Sequence, residues 1–325
     1  MRIRLRPWSV LPVFGSVLVI LAVAGCHGTS SAAAARASAA MSHGAPADPA
    51  TTAPAGGATG APQAASGPVV ALGDSYTAGG LLPMEPLAKP PGCLRSSKAY
   101  PVLVAAALHA PLTDAACASA GVKDMTAAQR TYLGTNPAQL RALAPDDGLV
   151  LLTLGGDDLG FLNVLRDCVQ LSFTAPWGSP CRAHYTQSGT DQLAAGVRTE
   201  APKIGAAIKA IHARAGRARV VLVGYPDLFP QSGGCWPRVP ITSGDIAYLR
   251  GIEQSADAML AAEAASAGAT FVNTYAATVG HDMCKPESVR DVEGLIPGSL
   301  ALPFHPNVRG QAVIAAAVLR ALRSA

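Results

Sequence analysis

Two residues near opposite ends of the sequence have the chemistry needed to attack a carbonyl carbon. Ser75 follows an apolar run in VVALGDSYTAGG, and His305 precedes a helix-like segment in LPFHPNVRGQAV. A serine hydroxyl becomes a nucleophile when a neighbouring imidazole accepts its proton. Each residue also has an ordinary structural interpretation, since Ser75 could cap a helix and His305 could occupy the turn before one. The surrounding elements must therefore decide between these interpretations.

A third stretch, LLTLGGDDLGF, ends an apolar run at two adjacent carboxylates, Asp157 and Asp158. It could be a metal site, an acid–base pair or a site that stabilises an oxyanion. Adjacent residues in an extended segment point to opposite sides, and no further cluster of oxygen ligands is evident at the level of motifs. We therefore predict no metal here. We interpret Asp158, like Asp74 before Ser75, as a residue that binds loop backbone.

The elements that must position these residues follow an alternating pattern. Short apolar runs that end in glycine or turn residues predict buried strands at 68–72, 148–154, 219–223 and 269–273. Helical patterning occupies 99–108, 191–215, 246–267 and 308–323. This alternation predicts an α/β fold with a parallel sheet covered on both faces. Active sites of such sheets lie beyond the carboxyl ends of the strands, where Ser75 and Asp157 fall.

Several motifs resemble those of a known family. GDSYTAGG, GGDDLGF and FHPNVRGQ, in that order, resemble the first, third and fifth blocks of the SGNH (GDSL-type) esterases and lipases. CLRSSKAYP, GYPDLFP and GHDMC are similar to the secreted actinobacterial branch of that family. The resemblance implies a flavodoxin-like three-layer α/β/α sandwich over residues 68–325. It also implies Ser75 as the nucleophile that forms an acyl-enzyme from a carboxylic ester, His305 as its base, and no cofactor.

The sequence departs from the family pattern beside the histidine. The family usually places an aspartate three residues before it, and here that position is Leu302. An imidazole needs only an acceptor for Nδ1–H to be held in the right tautomer, so a backbone carbonyl, that of Leu302, is our prediction. Asp291 or Glu293 could reach in from the preceding loop instead. We therefore predict a Ser–His dyad.

The oxyanion site departs from the pattern at two positions. The glycine that normally supplies a backbone N–H aligns with Ser119, with Gly121 as an alternative. The asparagine after Gly-Gly, whose side chain donates to the oxyanion, is replaced by Asp157. An ionised carboxylate only accepts hydrogen bonds. Either Asp157 is protonated, or the backbone N–H groups of Ser75 and Ser119 suffice, or catalysis is weakened.

These departures leave three functions open. The first is an ester hydrolase, and the second is an acyltransferase that passes the acyl group to a sugar or lipid hydroxyl. The third is a surface-tethered binding protein with a disabled oxyanion site. Retention of both Ser75 and His305 favours the hydrolase, because catalytic residues act as a unit. We expect a monomer that acts on a small-molecule or lipid ester.

Six cysteines follow Cys26, an even number typical of disulfides in exported proteins, although the count alone leaves fifteen pairings open. The resemblance implies pairing in sequence order: Cys93 with Cys117, Cys168 with Cys181, and Cys235 with Cys284.

The N-terminal segment has the pattern of an export signal. Three arginines precede an apolar run that ends in LAVAGC, which looks like a lipoprotein cleavage site. We predict a signal peptide at 1–25, a lipid on Cys26 that anchors the protein to the membrane outside the cytoplasm, and a disordered linker at 26–67. Plain secretion with an incidental Cys26 is the alternative.

Most of the formal charge of +4 comes from the three arginines of the predicted signal peptide, so the rest of the protein is close to neutral. We therefore predict no nucleic-acid partner.

Overall fold

The structure is a computed structural model that describes residues 67–80, 82 and 89–324. The predicted signal peptide, Cys26 and all of the predicted linker except Gly67 lie outside these residues. Within the described ranges, no helix is both long enough and apolar enough to cross a membrane.

The strands of the described residues form a five-stranded sheet and a separate two-stranded hairpin. The strands at Val69–Gly73 and Leu149–Thr153 are buried at every residue, which explains why their sequences are apolar and do not alternate with polar residues. The strands are β1 (Val69–Gly73), β2 (Leu112–Asp114), β3 (Gln129–Thr131), β4 (Gly134–Asn136), β5 (Leu149–Thr153), β6 (Arg219–Val223) and β7 (Thr270–Val272).

The large sheet has the order β2-β1-β5-β6-β7, and all of its neighbouring strands run parallel. This is the strand order of flavodoxin-like folds, in which ligands bind where the order changes direction. Here that point lies between β1 and β5, whose last residues, Gly73 and Thr153, are paired. The residues that follow these two strands therefore meet at one crevice.

Helices cover both faces of the sheet. Val150 and Leu152 of β5 belong to a core cluster that includes residues of the helices at Gln192–Arg214 and Ser243–Ala267. Leu149 and Leu151 belong to a cluster that includes residues of the helices at Tyr100–Ala107 and Val308–Arg323. This alternation confirms the predicted three-layer α/β/α sandwich. The helices are α1 (Ser75–Ala78), α2 (Tyr100–Ala107), α3 (Lys123–Thr126), α4 (Phe161–Thr174), α5 (Pro180–Thr186), α6 (Gln192–Arg214), α7 (Ser243–Ala267), α8 (Thr274–Thr278) and α9 (Val308–Arg323).

Three disulfides join the loops around the sandwich. They have the pairing that the resemblance implies: Cys93–Cys117, Cys168–Cys181 and Cys235–Cys284. The first fastens the segment that follows β2 to the short 3₁₀ helix at Pro91–Cys93. In addition, the N–H of Cys117 donates to the carbonyl of Gly73, so this segment runs beside the end of β1.

Candidate active site

Ser75 is the first residue of α1, immediately beyond the end of β1. Gly73 makes this possible, because its φ is 118° and a Cβ there would lie 2.0 Å from the carbonyl oxygen of Thr153. The helix cap is Asp74, whose side chain accepts from the N–H of Tyr76 at 2.9 Å. The prediction that Asp74 organises the turn is thus confirmed, and capping does not occupy the Ser75 hydroxyl.

Ser75 and His305 are 230 residues apart in the sequence and in hydrogen-bond contact in the structure. Ser75 Oγ lies 2.7 Å from His305 Nε2, and His305 Nδ1 lies 2.8 Å from the carbonyl oxygen of Pro303. A carbonyl oxygen only accepts, so Nδ1 carries the ring hydrogen and Nε2 presents its lone pair to the serine. This is the tautomer that a general base requires.

The carbonyl that orients His305 is that of Pro303, which corrects our prediction of Leu302. The carbonyl of Leu302 instead accepts the backbone N–H of His305 at 3.2 Å, closing the turn that precedes the histidine. The carboxylate alternatives are also wrong. Asp291 accepts from Arg309 at 2.8 Å, and Glu293 is engaged by Arg290 and its neighbours.

Glu293 supports the histidine turn without contacting the imidazole. Its N–H donates to the carbonyl of His305, and its buried carboxylate accepts from Arg290 at 2.6 Å and from Asn307 at 3.0 Å. Burial alone would raise the pKa of Glu293, but these hydrogen bonds outweigh burial and lower it to about 2. The carboxylate therefore stabilises the folded state.

Replacing Glu293 by glutamine is expected to lower the free energy of unfolding by about 3 kcal/mol, because Arg290 loses its buried partner. Since folding lowers the pKa, this contribution is fully present above about pH 4.5 and is lost as the pH falls towards 2. Urea denaturation of both proteins at pH 7 and at acidic pH measures it. An equal difference at every pH would contradict this account.

Tyr76 holds the other side of the histidine. Its ring lies 4.6 Å from the imidazole, and its hydroxyl donates to the carbonyl of Phe304 at 2.6 Å. Phe304 has a φ of 64°, a left-handed conformation that is costly for a phenylalanine and that the surrounding contacts must maintain.

His305 is 1% exposed, and this burial lowers the pKa of its imidazole to about 4. The base is therefore neutral across the whole range above that pH.

Asp157 lines the same pocket as Ser75 and His305, just beyond the end of β5. Burial, together with the nearby negative charges of Asp158 and Asp124, raises its pKa to about 6. A protonated carboxyl donates a hydrogen bond, as the usual asparagine does, whereas an ionised one repels an oxyanion. Asp157, which replaces the usual asparagine, therefore changes within the physiological pH range from a protonated hydrogen-bond donor to an ionised carboxylate that only accepts.

Ser119, the expected backbone donor, lies in the segment that Cys117 anchors beside β1. Its φ is 63°, the left-handed conformation that suits a glycine and that a serine adopts at some cost. Ser119 is exposed and lines a different depression from the pocket that Ser75 and His305 line. Gly121, the alternative, is unsuitable because its N–H donates to Asp124 Oδ2 at 2.9 Å.

Asp158 ties the two parts of the expected oxyanion site to each other. Its two carboxylate oxygens accept from the N–H of Val122 at 3.1 and 2.9 Å, which confirms its predicted structural role. A Cβ on Gly121 would lie 2.6 Å from Asp158 Oδ1, so a glycine is needed for this approach. The loop that carries Asp157 is therefore fixed to the loop that carries Ser119.

Tyr225, which follows β6, is a site residue that was not predicted from the sequence. Its hydroxyl donates to Asp74 Oδ2 at 2.7 Å and accepts from the N–H of Gly156 at 2.7 Å. Its ring also packs edge-on against Tyr76, with the centroids 4.9 Å apart. GYPDLFP was recognised only as a motif of the family branch. A tyrosine two residues past a buried strand is the signal that could have placed it here.

The pocket beyond the dyad is mainly apolar, as a pocket for an acyl chain must be. Its apolar walls come from the loop after β5, from α4, from α7 and from the segment after β6: Leu159, Phe161, Leu162, Leu228 and Ala256.

Comparison with known proteins identifies the family to which a chain with this site belongs. The family model described as GDSL-like Lipase/Acylhydrolase matches residues 71–313, a span that contains both Ser75 and His305. The chain belongs to this family. Lipase 2 of Streptomyces coelicolor is 37% identical over 247 residues, which cover 74% of this chain and 81% of that relative. The resemblance inferred from the motifs is therefore confirmed, and the protein is an ester hydrolase of the GDSL type.

Two solved structures of the same family share the fold. Phospholipase A1 from Streptomyces albidoflavus NA297 has a TM-score of 0.64 and 27% identity, covering 80% of this chain and 99% of that chain. The extracellular lipase of Streptomyces rimosus has a TM-score of 0.64 and 26% identity, with the same coverage of 80% and 99%.

Proposed function

We propose that the protein is an exported serine esterase or lipase that cleaves carboxylic esters through an acyl-enzyme on Ser75. The observation that carries the proposal is the 2.7 Å contact between Ser75 Oγ and the proton-accepting nitrogen of His305. The similarity to the extracellular lipase of Streptomyces rimosus supports export, and a lipid on Cys26 would keep the protein at the outer face of the cytoplasmic membrane.

The chemistry follows from the positions of the dyad atoms. Ser75 Oγ attacks the ester carbonyl carbon while His305 Nε2 takes the hydroxyl proton, and the carbonyl oxygen becomes an oxyanion. The resulting imidazolium gives that proton to the departing alcohol, which leaves the acyl group on Ser75. Water then attacks the acyl carbon while His305 Nε2 takes a proton from it. That proton passes to Ser75 Oγ as the bond between Oγ and the acyl carbon breaks, which releases the acid and restores the serine. The Pro303 carbonyl holds Nδ1–H throughout both steps.

Oxyanion stabilisation is assigned to the backbone N–H of Ser75, that of Ser119, and the protonated side chain of Asp157. Preorganised donors of this kind each contribute on the order of 10² to 10³ in rate. The fixed link between the two loops supports this assignment, because Asp158 holds the loop of Asp157 against the loop of Ser119.

Rapid acid quenching of a reaction with p-nitrophenyl butanoate is expected to trap a butanoyl group on the peptide that contains Ser75. Mass spectrometry of the digested protein detects the added acyl mass, and Ser75→Ala is the control that should carry none. Turnover with the acyl group on any other residue would refute Ser75 as the nucleophile. Turnover with no adduct, at times when the alcohol product exceeds one equivalent, would point to direct attack by water.

A further inference from the structure

A carboxyl group lies in the apolar wall of the acyl pocket. Glu253 of α7 lines that pocket together with Ser75 and His305, and it is 5% exposed. Its Oε1 accepts from the N–H of Leu228, another residue of the wall, at 3.0 Å. The Ser–His chemistry does not use this group, and an apolar side chain would line an alkyl-binding pocket at less cost.

Glu253 also marks the point where this pocket adjoins a second one. Four residues line both pockets: Leu159, Phe161, Glu253 and Ala256. The second pocket continues between α6 and α7 and is bounded by Leu193, Gly196 and Val197. An acyl chain that starts at Ser75 and extends into this second space would pass the residues that the two pockets share, and Glu253 is the polar one among them.

The remaining oxygen of Glu253 has no partner. Oε2 is buried and makes no hydrogen bond to any of the residues that the structure describes. Burial raises the pKa of Glu253 well above its ordinary value, and the negative charges of Asp257 and Asp227 act in the same direction, against Arg250. Because Oε1 already accepts from a backbone N–H, the proton of the neutral acid belongs on Oε2. That O–H is a buried donor without an acceptor, which is costly in the free protein.

We propose that Glu253 is a specificity-determining residue that donates a hydrogen bond from Oε2 to an oxygen atom within the acyl chain of the substrate. The preferred substrates are then esters of oxygenated acids, with a keto, ether or hydroxyl oxygen at the position that reaches the junction of the two pockets. An alkyl chain leaves the donor unsatisfied, whereas an oxygenated chain satisfies it. This inference rests on the proposed esterase function and extends it to a class of substrate.

A scan of oxygen position along the acyl chain tests the proposal. The substrates are p-nitrophenyl decanoate and analogues in which each methylene from C4 to C9 of the acyl chain in turn is replaced by an ether oxygen, far enough from the carbonyl to leave its intrinsic reactivity unchanged. One net hydrogen bond is expected to raise kcat/KM about 3- to 10-fold at one chain position relative to the neighbouring positions. A flat profile along the chain in the wild-type protein would overturn the proposal without any variant.

Variants then assign the effect to Glu253. Glu253→Met removes the donor at similar volume and is expected to flatten the profile. Glu253→Gln keeps an N–H donor and is expected to retain part of the preference. Gln254→Met is the matched control, since Gln254 is exposed on the same helix and lines neither pocket. A profile that persists unchanged in Glu253→Met would overturn the proposal.

Binding measurements separate this proposal from the esterase proposal. Calorimetric titration of Ser75→Ala with the methyl esters of the same acids is expected to show the same position-dependent preference, because binding does not require the nucleophile. Preference in binding without Ser75 acylation would refute the esterase mechanism alone. Ser75 acylation with no preference in binding or turnover would refute the role of Glu253 alone.

Discussion

Replacing His305 by alanine is expected to lower kcat/KM for p-nitrophenyl butanoate by on the order of 10⁶-fold, as much as Ser75→Ala. Nucleophile and base act as a unit, so removal of either leaves only binding and oxyanion stabilisation. Among the described residues, the proton acceptor in hydrogen-bond contact with Ser75 Oγ is His305 Nε2, at 2.7 Å. Purified wild-type, single-variant and double-variant proteins, assayed side by side at pH 5, measure the effect.

The double variant is the decisive control for this prediction. If the two residues form one unit, Ser75→Ala combined with His305→Ala is no slower than either single variant. Additive losses would mean that the residues act separately, contrary to the dyad. Equal melting temperatures of all four proteins show that the losses are catalytic, and this control matters because His305 packs against Tyr76.

Replacing Asp157 by asparagine is expected to raise kcat/KM at pH 8 by on the order of 10²-fold, because the carboxylate is exchanged for a permanent donor.

The dependence of kcat/KM on pH is expected to be bell-shaped in the wild-type protein. Activity needs a neutral His305, whose pKa is about 4, and a protonated Asp157, whose pKa is about 6. Activity therefore rises through pH 4, peaks near 5 and falls as the pH passes 6. Initial rates between pH 3 and 9 give the profile.

The asparagine variant should lose the alkaline limb and keep the acidic limb, which belongs to His305. Asp157→Ala removes the charge without supplying a donor, so it should also lose the alkaline limb but stay below the asparagine variant. Asp158, Asp124 and Asp74 are the acidic groups that interact with Asp157, and none of them is changed in these variants. A wild-type protein as active at pH 8 as at pH 5 would exclude Asp157 from the oxyanion site.

The strands and helices that were predicted well from the sequence are the buried ones, because burial requires apolar residues and these form a pattern that can be detected. The strands β1, β5, β6 and β7 and the helices α2, α6, α7 and α9 lie within a few residues of the predicted ranges. Ser75 and His305 were identifiable because each stands at the end of such an element. The strand β2 is short and partly exposed, and the hairpin of β3 and β4 is polar, so neither carries an apolar pattern to detect.

What the sequence could not predict depends on three-dimensional turn geometry and on contacts between distant segments. Choosing between the carbonyls of Leu302 and Pro303 requires the backbone path of a turn in which Phe304 adopts a left-handed conformation. Glu253 occupies an ordinary position in a long helix, and only the packing of α7 against the segment after β6 makes it part of the pocket. Composition and spacing carry no signal for either feature.

The hydroxyl of Tyr225 joins Asp74 to Gly156, so the ends of β1, β5 and β6 hold one another in place. The walls of the pocket come from α4, from α7 and from the loops that follow β5 and β6. Both helices also bond to residues of that network, because the N–H of Phe161 donates to the carbonyl of Gly156 and Asp257 accepts from the N–H of Tyr225. Reactivity and selectivity are therefore encoded in connected parts of the chain, so a substitution that reshapes the wall leaves the reacting atoms in place only if it preserves these two bonds.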